Sequence, residues 1–184
     1  MNKTIRIKAI SLILVFVTLV TFLPTIAYAA TVPEQIDGVY QIKSAADLTA
    51  FRDLANKSSG RKASAVLCND IDMSKVTDWK TPIGKSSTYN GVFDGNGYSI
   101  KNLKYKPTQQ ANQARALFGK IGKTAIIRNL GISGAKVTAE TSSQVDTNIA
   151  VLAGNNSGYI YNCYVIDSEV SVETKSAPNI GVLC

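Results

Sequence analysis

An internal repeat with a period of roughly 30 to 35 residues is the feature that most constrains the fold of this chain. The segment starting at Ala116 reads ALFGKIGKTAIIRNLGISGAKVTA, and the segment starting at Val151 reads VLAGNNSGYIYNCYVIDSEVSV. In a stack of such units, Asn129 and Asn162 fall at equivalent turns, where their side-chain amides can bond along the stack. One such unit cannot bury its apolar face alone, whereas stacked units can. The repeat therefore predicts a stack of similar units.

Each repeat has the pattern of short strands separated by turns rich in Gly, Asn and Asp. Val137 and Val170 are related by the same offset as Asn129 and Asn162. The sequence NIGVLC from Asn179 matches NIAVLA from Asn148 at a slightly shorter offset, so a third copy begins there. Strands are predicted over residues 63–73, 91–93, 99–105, 126–132, 159–165 and 170–172.

A single amphipathic helix is predicted ahead of most of the strands. Ser44 is a typical N-cap residue, and Asp47 follows in the first turn, where a negative charge is favourable. Apolar residues recur at spacings of three and four, which gives one buried face. The residues of that face are Leu48, Phe51, Leu54 and Ala55.

Residues 1–29 have the pattern of an export signal. Lys3, Arg6 and Lys8 form a positive segment, residues 9–23 form an apolar run, and Ala27-Tyr28-Ala29 resembles a cleavage site. Cleavage after Ala29 would leave a chain whose size suits one domain outside the cytoplasm. An uncleaved membrane anchor is the alternative, although a span needs about 20 apolar residues.

Charge and cysteine content exclude some functions. Three of the basic residues lie in the signal, and the rest of the chain carries a small positive excess with no basic run, so nucleic-acid binding is not expected. Cys68, Cys163 and Cys184 are too few and too widely spaced for a disulfide scaffold. Cys163 lies in an apolar alternating run that is typical of a buried residue, and a Cys68–Cys163 bridge stays open as an alternative.

The repeats resemble the GLUG repeats of bacterial surface proteins, in which a Gly-Leu-hydrophobic-Gly core precedes an Ile-x-Asn-hydrophobic strand. The matching stretches are ALFG with IIRNLGI, and VLAG with IYNCYV. The preceding region, with the predicted helix, NDIDMS, PIG and GVFDGNGYSIKNL, resembles the segment that commonly leads into such repeats. Ala116 and Val151 stand where the first glycine of the core is expected, and only Gly181 keeps it.

The resemblance implies an all-β fold, a right-handed parallel β-helix (solenoid) with a short N-terminal capping helix behind a signal peptide. It divides the chain into the signal peptide at residues 1–29, the cap and first coils at 30–113, and GLUG-type coils at 114–184, of which the last is incomplete. It also implies a secreted or cell-surface location in a bacterium. Because the third repeat has only begun at Cys184, we expect a fragment of a larger surface protein.

No motif predicts catalysis, a metal site or a cofactor. Gly84-Lys85-Ser86 and Gly122-Lys123-Thr124 lack the earlier glycine of a phosphate-binding loop. The chain also has no histidine for a catalytic triad or a typical catalytic zinc site.

The acidic residues have two other possible roles. Asp94-Gly95-Asn96-Gly97 begins like a calcium loop, but Tyr105 stands where the glutamate belongs, so a corner between strands is predicted. Carboxylate-based polysaccharide cleavage stays an alternative, with Asp70, Asp72, Asp78 and Asp94 as candidates.

Tyrosines are the best candidates for binding residues. Tyr159, Tyr161 and Tyr164 lie in one predicted strand, and alternation places the first two on one face and the third on the other. At least some rings must then be exposed, which suits contact with a glycan or a protein. The sequence favours a non-catalytic, adhesin-like module that binds a host or cell-wall glycan or protein.

Three other roles remain as hypotheses. The chain could be part of a secreted β-helix enzyme, either polysaccharide-active or the accessory region of a peptidase. It could also be a purely structural stalk. Self-association through an open C-terminal coil is a further hypothesis, because an unpaired strand edge tends to pair with another chain.

Overall fold

A computed structural model describes residues 32–77, 79–85, 87–105, 114–141, 148–174 and 179–184. The described chain is mostly β-structure with one short helix, α1 (Ala45–Ala55). The predicted export signal, residues 1–29, and Asp78 lie outside the described residues. Within the described ranges, no helix is both long and apolar enough to cross a membrane.

The strands form several sheets whose neighbours come from successive passes of the chain. The largest sheet contains, in spatial order, β1 (Gln35–Ile36), β2 (Val39–Ile42), β3 (Ser64–Leu67), β5 (Val92–Asp94), β9 (Ile126–Arg128) and β14 (Tyr159–Tyr161). A four-stranded sheet contains β4 (Ile71–Asp72), β6 (Ser99–Lys101), β10 (Gly131–Ser133) and β15 (Tyr164–Ile166). A three-stranded sheet contains β7 (Lys104–Tyr105), β11 (Lys136–Thr141) and β16 (Glu169–Thr174).

Two further strand pairs complete the described β-structure. They are β8 (Phe118–Ile121) with β13 (Ala153–Asn156), and β12 (Asn148–Ile149) with β17 (Asn179–Ile180). The strands β1 and β2 pair antiparallel, and every other strand pair among the described residues is parallel. Parallel neighbours need a long connection between them, which agrees with the long repeat of the sequence.

The register of the strand pairs equals the offsets of the sequence repeat. Val137 pairs with Val170, its equivalent in the next repeat. Asn148 likewise pairs with Asn179, the first residue of the third copy. The repeat offsets read from the sequence are therefore the spacings at which successive strands lie side by side.

In-register apolar residues stack into the core. Ile71, Ile100 and Ile132 follow one another across the four-stranded sheet, and each is at most 1% exposed. Phe93 and Ile127 pair in the largest sheet and are fully buried. Residues in register on parallel strands project to the same side, so each row of apolar side chains continues from strand to strand. Burying one such side chain contributes about 1.5–3 kcal/mol.

The helix begins where the sequence predicts. The Ser44 hydroxyl accepts a hydrogen bond from the backbone N–H of Asp47 at 3.2 Å and so satisfies one free donor of the first turn. Leu48 and Phe51 are fully buried, as predicted. Leu54 is half-buried rather than part of the fully buried face.

Four of the predicted strands are each divided in two. The ranges 63–73, 99–105, 126–132 and 159–165 each contain residues of two strands. The breaks in the last three fall at Asn102, Asn129 and Asn162, whose φ angles are +58°, +53° and +51°. A left-handed residue turns the chain sharply and interrupts the alternation of side chains, so each half has its own inward and outward positions.

The three cysteines are free thiols. Cys68 and Cys163 are half-buried, and Cys184 is exposed. Partial burial raises the pKa of the Cys163 thiol. The alternative Cys68–Cys163 bridge is not formed in this structure.

Candidate functional site

The acidic residues considered for catalysis accept hydrogen bonds from a neighbouring strand. Asp70 accepts from the backbone N–H of Ser99 at 2.8 Å and from Lys101 Nζ at 2.7 Å. Asp72 accepts from Asn102 Nδ2 at 2.9 Å. The bond from Lys101 is the main cause that holds the pKa of Asp70 below 3.8, and the bond from Asn102 does the same for the pKa of Asp72. Both carboxylates therefore link β6 and the residues that follow it to the segment around β4.

Asp94 organises the corner between β5 and β6. Its Oδ1 accepts from the Asn96 backbone N–H at 2.8 Å and from Asn129 Nδ2 at 3.1 Å, and its Oδ2 accepts from Arg128 Nε at 2.7 Å. Partial burial alone would raise the pKa of Asp94, but these hydrogen bonds outweigh it and hold the pKa below 3.8. The φ angles of Asn96 and Gly97 are +51° and +83°, so the stretch is the tight corner that the sequence predicts.

A row of side chains connects equivalent corners, and we call it the corner ladder: Asp94, Asn129 and Asn162. Asn162 Nδ2 donates to Asn129 Oδ1 at 2.7 Å, and Asn129 in turn donates to Asp94. Asn129 and Asn162 both have a positive φ, +53° and +51°. In the described parts of the chain, no three His, Cys, Asp or Glu side chains are grouped so as to hold a metal ion.

The three candidate tyrosines all face solvent, and we call them the tyrosine surface. Tyr159, Tyr161 and Tyr164 are 65%, 47% and 47% exposed. Ile160, between the first two, is half-buried and packs against the core. Tyr164 also faces outward, contrary to the simple alternation of the sequence, because the corner at Asn162 separates β14 from β15.

Hydrogen bonds fix two rings of the tyrosine surface. The Tyr164 hydroxyl is hydrogen-bonded to Ser99 Oγ at 2.9 Å, and its ring lies over Gly131, where a Cβ would be 2.4 Å from Tyr164 Cζ. Arg128 Nη1 donates to the Tyr161 hydroxyl at 3.4 Å. Rings that are already held in place lose little conformational entropy when a ligand binds.

The sequence reasoning missed the three residues that support these rings, namely Ser99, Arg128 and Gly131. The repeat offset is the signal that could have found two of them. Arg128 pairs with Tyr161 and Gly131 with Tyr164, each residue with its equivalent one repeat later. That register places the Tyr164 ring over Gly131 and the Tyr161 hydroxyl beside Arg128.

Comparison with known proteins gives two partial relatives. A "Putative Gly-rich membrane protein" of Evansella cellulosilytica is 32% identical over 132 residues, and "Halomucin" of Haloquadratum walsbyi is 32% identical over 138 residues. Each alignment covers 68% of this chain but only 14% of the first protein and 1% of the second. This chain thus spans a small part of the length of these relatives. No family model matches it, and no solved structure matches it.

Proposed function

We propose that this chain is a non-catalytic binding module built as a right-handed parallel β-helix of the GLUG-repeat type. The parallel strand pairs, with separations that repeat the sequence offsets, support a solenoid. Parallel crossover connections are right-handed almost without exception, which supports the handedness. The helix α1 packs against β2, near the start of the largest sheet, where a capping helix is expected.

We place this module outside the cell. Residues 1–29 carry a positive segment, an apolar run and small residues at a cleavage motif, which supports export. One of the two similar proteins is named as a membrane protein, which agrees with a role at the cell boundary.

The observation that carries the binding function is the tyrosine surface. Tyr161 and Tyr164 are each 47% exposed although their hydroxyls are already hydrogen-bonded to the preceding passes of the chain. The exposed part of each ring is therefore available for contact, while its hydroxyl is fixed. Rigid aromatic faces stack on the apolar faces of sugar rings, so a glycan is the ligand class we favour.

A glycan array followed by affinity measurements tests this function. The double substitution Tyr161→Ala and Tyr164→Ala should weaken binding of the selected glycan about 30-fold or more, because truncating an aromatic anchor costs about 2 kcal/mol or more. Tyr98→Ala is the matched control, since Tyr98 is 37% exposed but lies outside the tyrosine surface. An unchanged affinity in the double variant, or an array without any bound glycan, would contradict the proposal.

We also propose that copies of the chain associate through the strands at one end. The strands β14, β15 and β16 are terminal in their sheets, so one edge of each has no partner strand among the described residues. Apolar side chains near these edges are exposed by 43% to 57%: Ile166, Ile180, Val182 and Leu183. Unpaired edges with apolar neighbours are a common site of association between chains.

A further inference from the structure

A buried group of basic and aromatic side chains lies beside α1, and we call it the arginine cluster: Arg52, Trp79, Tyr105 and Arg115. Their exposed fractions are 9%, 1%, 1% and 3%. None of them belongs to the tyrosine surface or to the corner ladder. Arginine is rarely buried to this extent unless it is paired with an opposite charge, so the cluster requires an explanation.

Contacts at the end of α1 hold Arg52 against Trp79. The guanidinium carbon of Arg52 lies 4.7 Å from the centre of the Trp79 ring. Asn56, which caps α1, donates to the Pro82 carbonyl at 2.9 Å and accepts from the Gly84 backbone N–H at 2.9 Å. The end of the helix is therefore tied to the segment that carries Trp79.

Arg115 approaches the cluster from the core side. It forms a parallel bridge with Ile149, which is 1% exposed, so the two side chains project to the same, inward side. The Tyr105 hydroxyl donates to the Lys80 carbonyl at 3.4 Å. Burial raises the pKa of Tyr105 to about 12, and the nearby charges of Arg115 and Arg52 oppose that rise. The parallel bridge between Ile83 and Phe118 sets these two segments in register and so brings Arg115 alongside Lys80, whose carbonyl accepts the Tyr105 hydroxyl.

Within the described ranges of the chain, the cluster has more hydrogen-bond donors and more positive charge than its partners satisfy. Arg52 Nη1, Trp79 Nε1 and Arg115 Nε are buried and have no hydrogen-bond partner among the described residues. Asp53 pairs with Arg52 at 2.8 Å, but the Asp53 side chain is 58% exposed. No carboxylate in the described part of the chain forms an ion pair with Arg115. Among the residues that the structure describes, two buried positive charges therefore face one exposed negative charge.

We infer that the arginine cluster is a binding site for a small oxyanion, such as a sulfate or carboxylate group. An oxyanion supplies both the acceptors and the negative charge that the cluster lacks, whereas a water molecule supplies acceptors alone. Guanidinium groups match the geometry of such oxygens with pairs of N–H donors, and bonds to a charged acceptor are stronger than neutral ones. The inference is independent of the tyrosine surface, because the two sites share no residue.

Trp79 provides a direct reporter, since it is the single tryptophan of the chain. Its fluorescence is recorded while sodium sulfate or sodium acetate replaces sodium chloride at constant ionic strength. We expect a saturable change with at least one of the two salts. A stronger response to sulfate identifies a sulfate-type ligand, and a stronger response to acetate identifies a carboxylate.

Arg115→Met is the decisive variant, because methionine is a flexible apolar side chain that can fill an inward position. It should weaken the affinity for the anion roughly 10–100-fold, because one or two charge-assisted hydrogen bonds to the anion are lost. Arg61→Met is the matched control, since Arg61 is exposed and lies outside the cluster. Far-UV circular dichroism verifies that each variant is folded. If Arg115→Met is unfolded, Arg115→Lys takes its place, because lysine keeps the positive charge but lacks the Nε donor.

Two results would overturn the inference. One is a wild-type fluorescence response to sulfate and to acetate that is absent or rises linearly without saturation. The other is a folded Arg115 variant that responds like the wild type. A rise in the melting temperature with sulfate that is present in the wild type and in Arg61→Met, but lost in the Arg115 variant, would add independent support.

Discussion

Asp94 couples ionisation to folding through three hydrogen bonds. In the folded chain, bonds from Asn96, Asn129 and Arg128 outweigh the effect of partial burial and hold the pKa of Asp94 below 3.8. The unfolded chain lacks these bonds, so folding favours the ionised carboxylate. The resulting stability is present above the unfolded-state pKa and is lost as the pH falls through the lower, folded-state pKa.

We therefore expect Asp94→Asn to reduce the pH dependence of stability in acid. At neutral pH the substitution should cost about 1–3 kcal/mol, because bonds to a charged acceptor are replaced by weaker ones. Between about pH 5 and pH 2, its free energy of unfolding should fall less steeply than that of the wild type. Urea unfolding at a series of pH values measures both effects.

Asp167→Asn is the control for this experiment, since it removes the carboxylate of an exposed residue outside the corner ladder. It should leave the acid slope close to that of the wild type. If Asp94→Asn and Asp167→Asn reduce the acid pH dependence of the free energy of unfolding equally, the hydrogen bonds to Asp94 do not cause that pH dependence.

Among the structural elements, the corners between short strands depend on residues with a positive φ. Asn129 connects β9 to β10 with φ +53°, and its side chain bonds to both Asp94 and Asn162. The left-handed conformation costs a residue with a Cβ about 1–2 kcal/mol, which asparagine tolerates better than alanine does. The corner ladder thus combines backbone geometry with side-chain bonding in one residue.

Two substitutions at Asn129 separate these contributions. Asn129→Ala should lower the free energy of unfolding by about 2–4 kcal/mol, because it loses two side-chain hydrogen bonds and places alanine in a left-handed conformation. Asn129→Gly loses the same bonds without the backbone penalty and should be about 1 kcal/mol milder. Denaturant unfolding of both variants gives the difference. Equal losses would show that backbone strain at this corner contributes nothing measurable.

The sequence predicted the pairing of strands better than it predicted where the strands end. The pairs Val137–Val170 and Asn148–Asn179 follow from the repeat, because stacked units place equivalent residues side by side. The turn at Asn162 was predicted from its equivalence with Asn129, but the strand predicted over residues 159–165 ran through that turn, so its side-chain alternation was wrong for Tyr164. The positive φ of Asn162 decides whether Tyr164 faces the core or the solvent.

Contacts between distant parts of the chain were out of reach for sequence reasoning. The bond between Ser99 and Tyr164 joins residues 65 positions apart. Arg52 lies on the buried side of α1, whereas a charged residue in an amphipathic pattern is normally assigned to the exposed side. Its burial depends on Trp79, which comes from another segment and supplies a ring for the guanidinium to pack on.

At the scale of the whole molecule, the two ends of the sheets differ. In the largest sheet, β1 closes one end with an antiparallel pair, and α1 packs against the neighbouring β2. At the other end, β14, β15 and β16 present their free edges in the described structure. Because β1 and α1 occupy the other end of the largest sheet, we expect copies to join at like ends, through β14, β15 and β16, which gives a two-fold symmetric dimer rather than an open filament.

A charge on the free edge tests this association. Ile166→Lys places a lysine on β15, and charged edge residues oppose pairing with a second chain. Light scattering after size-exclusion chromatography should show the wild-type mass rising toward that of a dimer with concentration, whereas the variant stays monomeric. Ser133→Lys is the matched control, because Ser133 pairs with Ile166 but lies on β10, which already has partners on both sides. That control should associate like the wild type. A wild type that stays monomeric at every concentration, or an Ile166→Lys variant that dimerises equally well, would show that this edge does not join two copies.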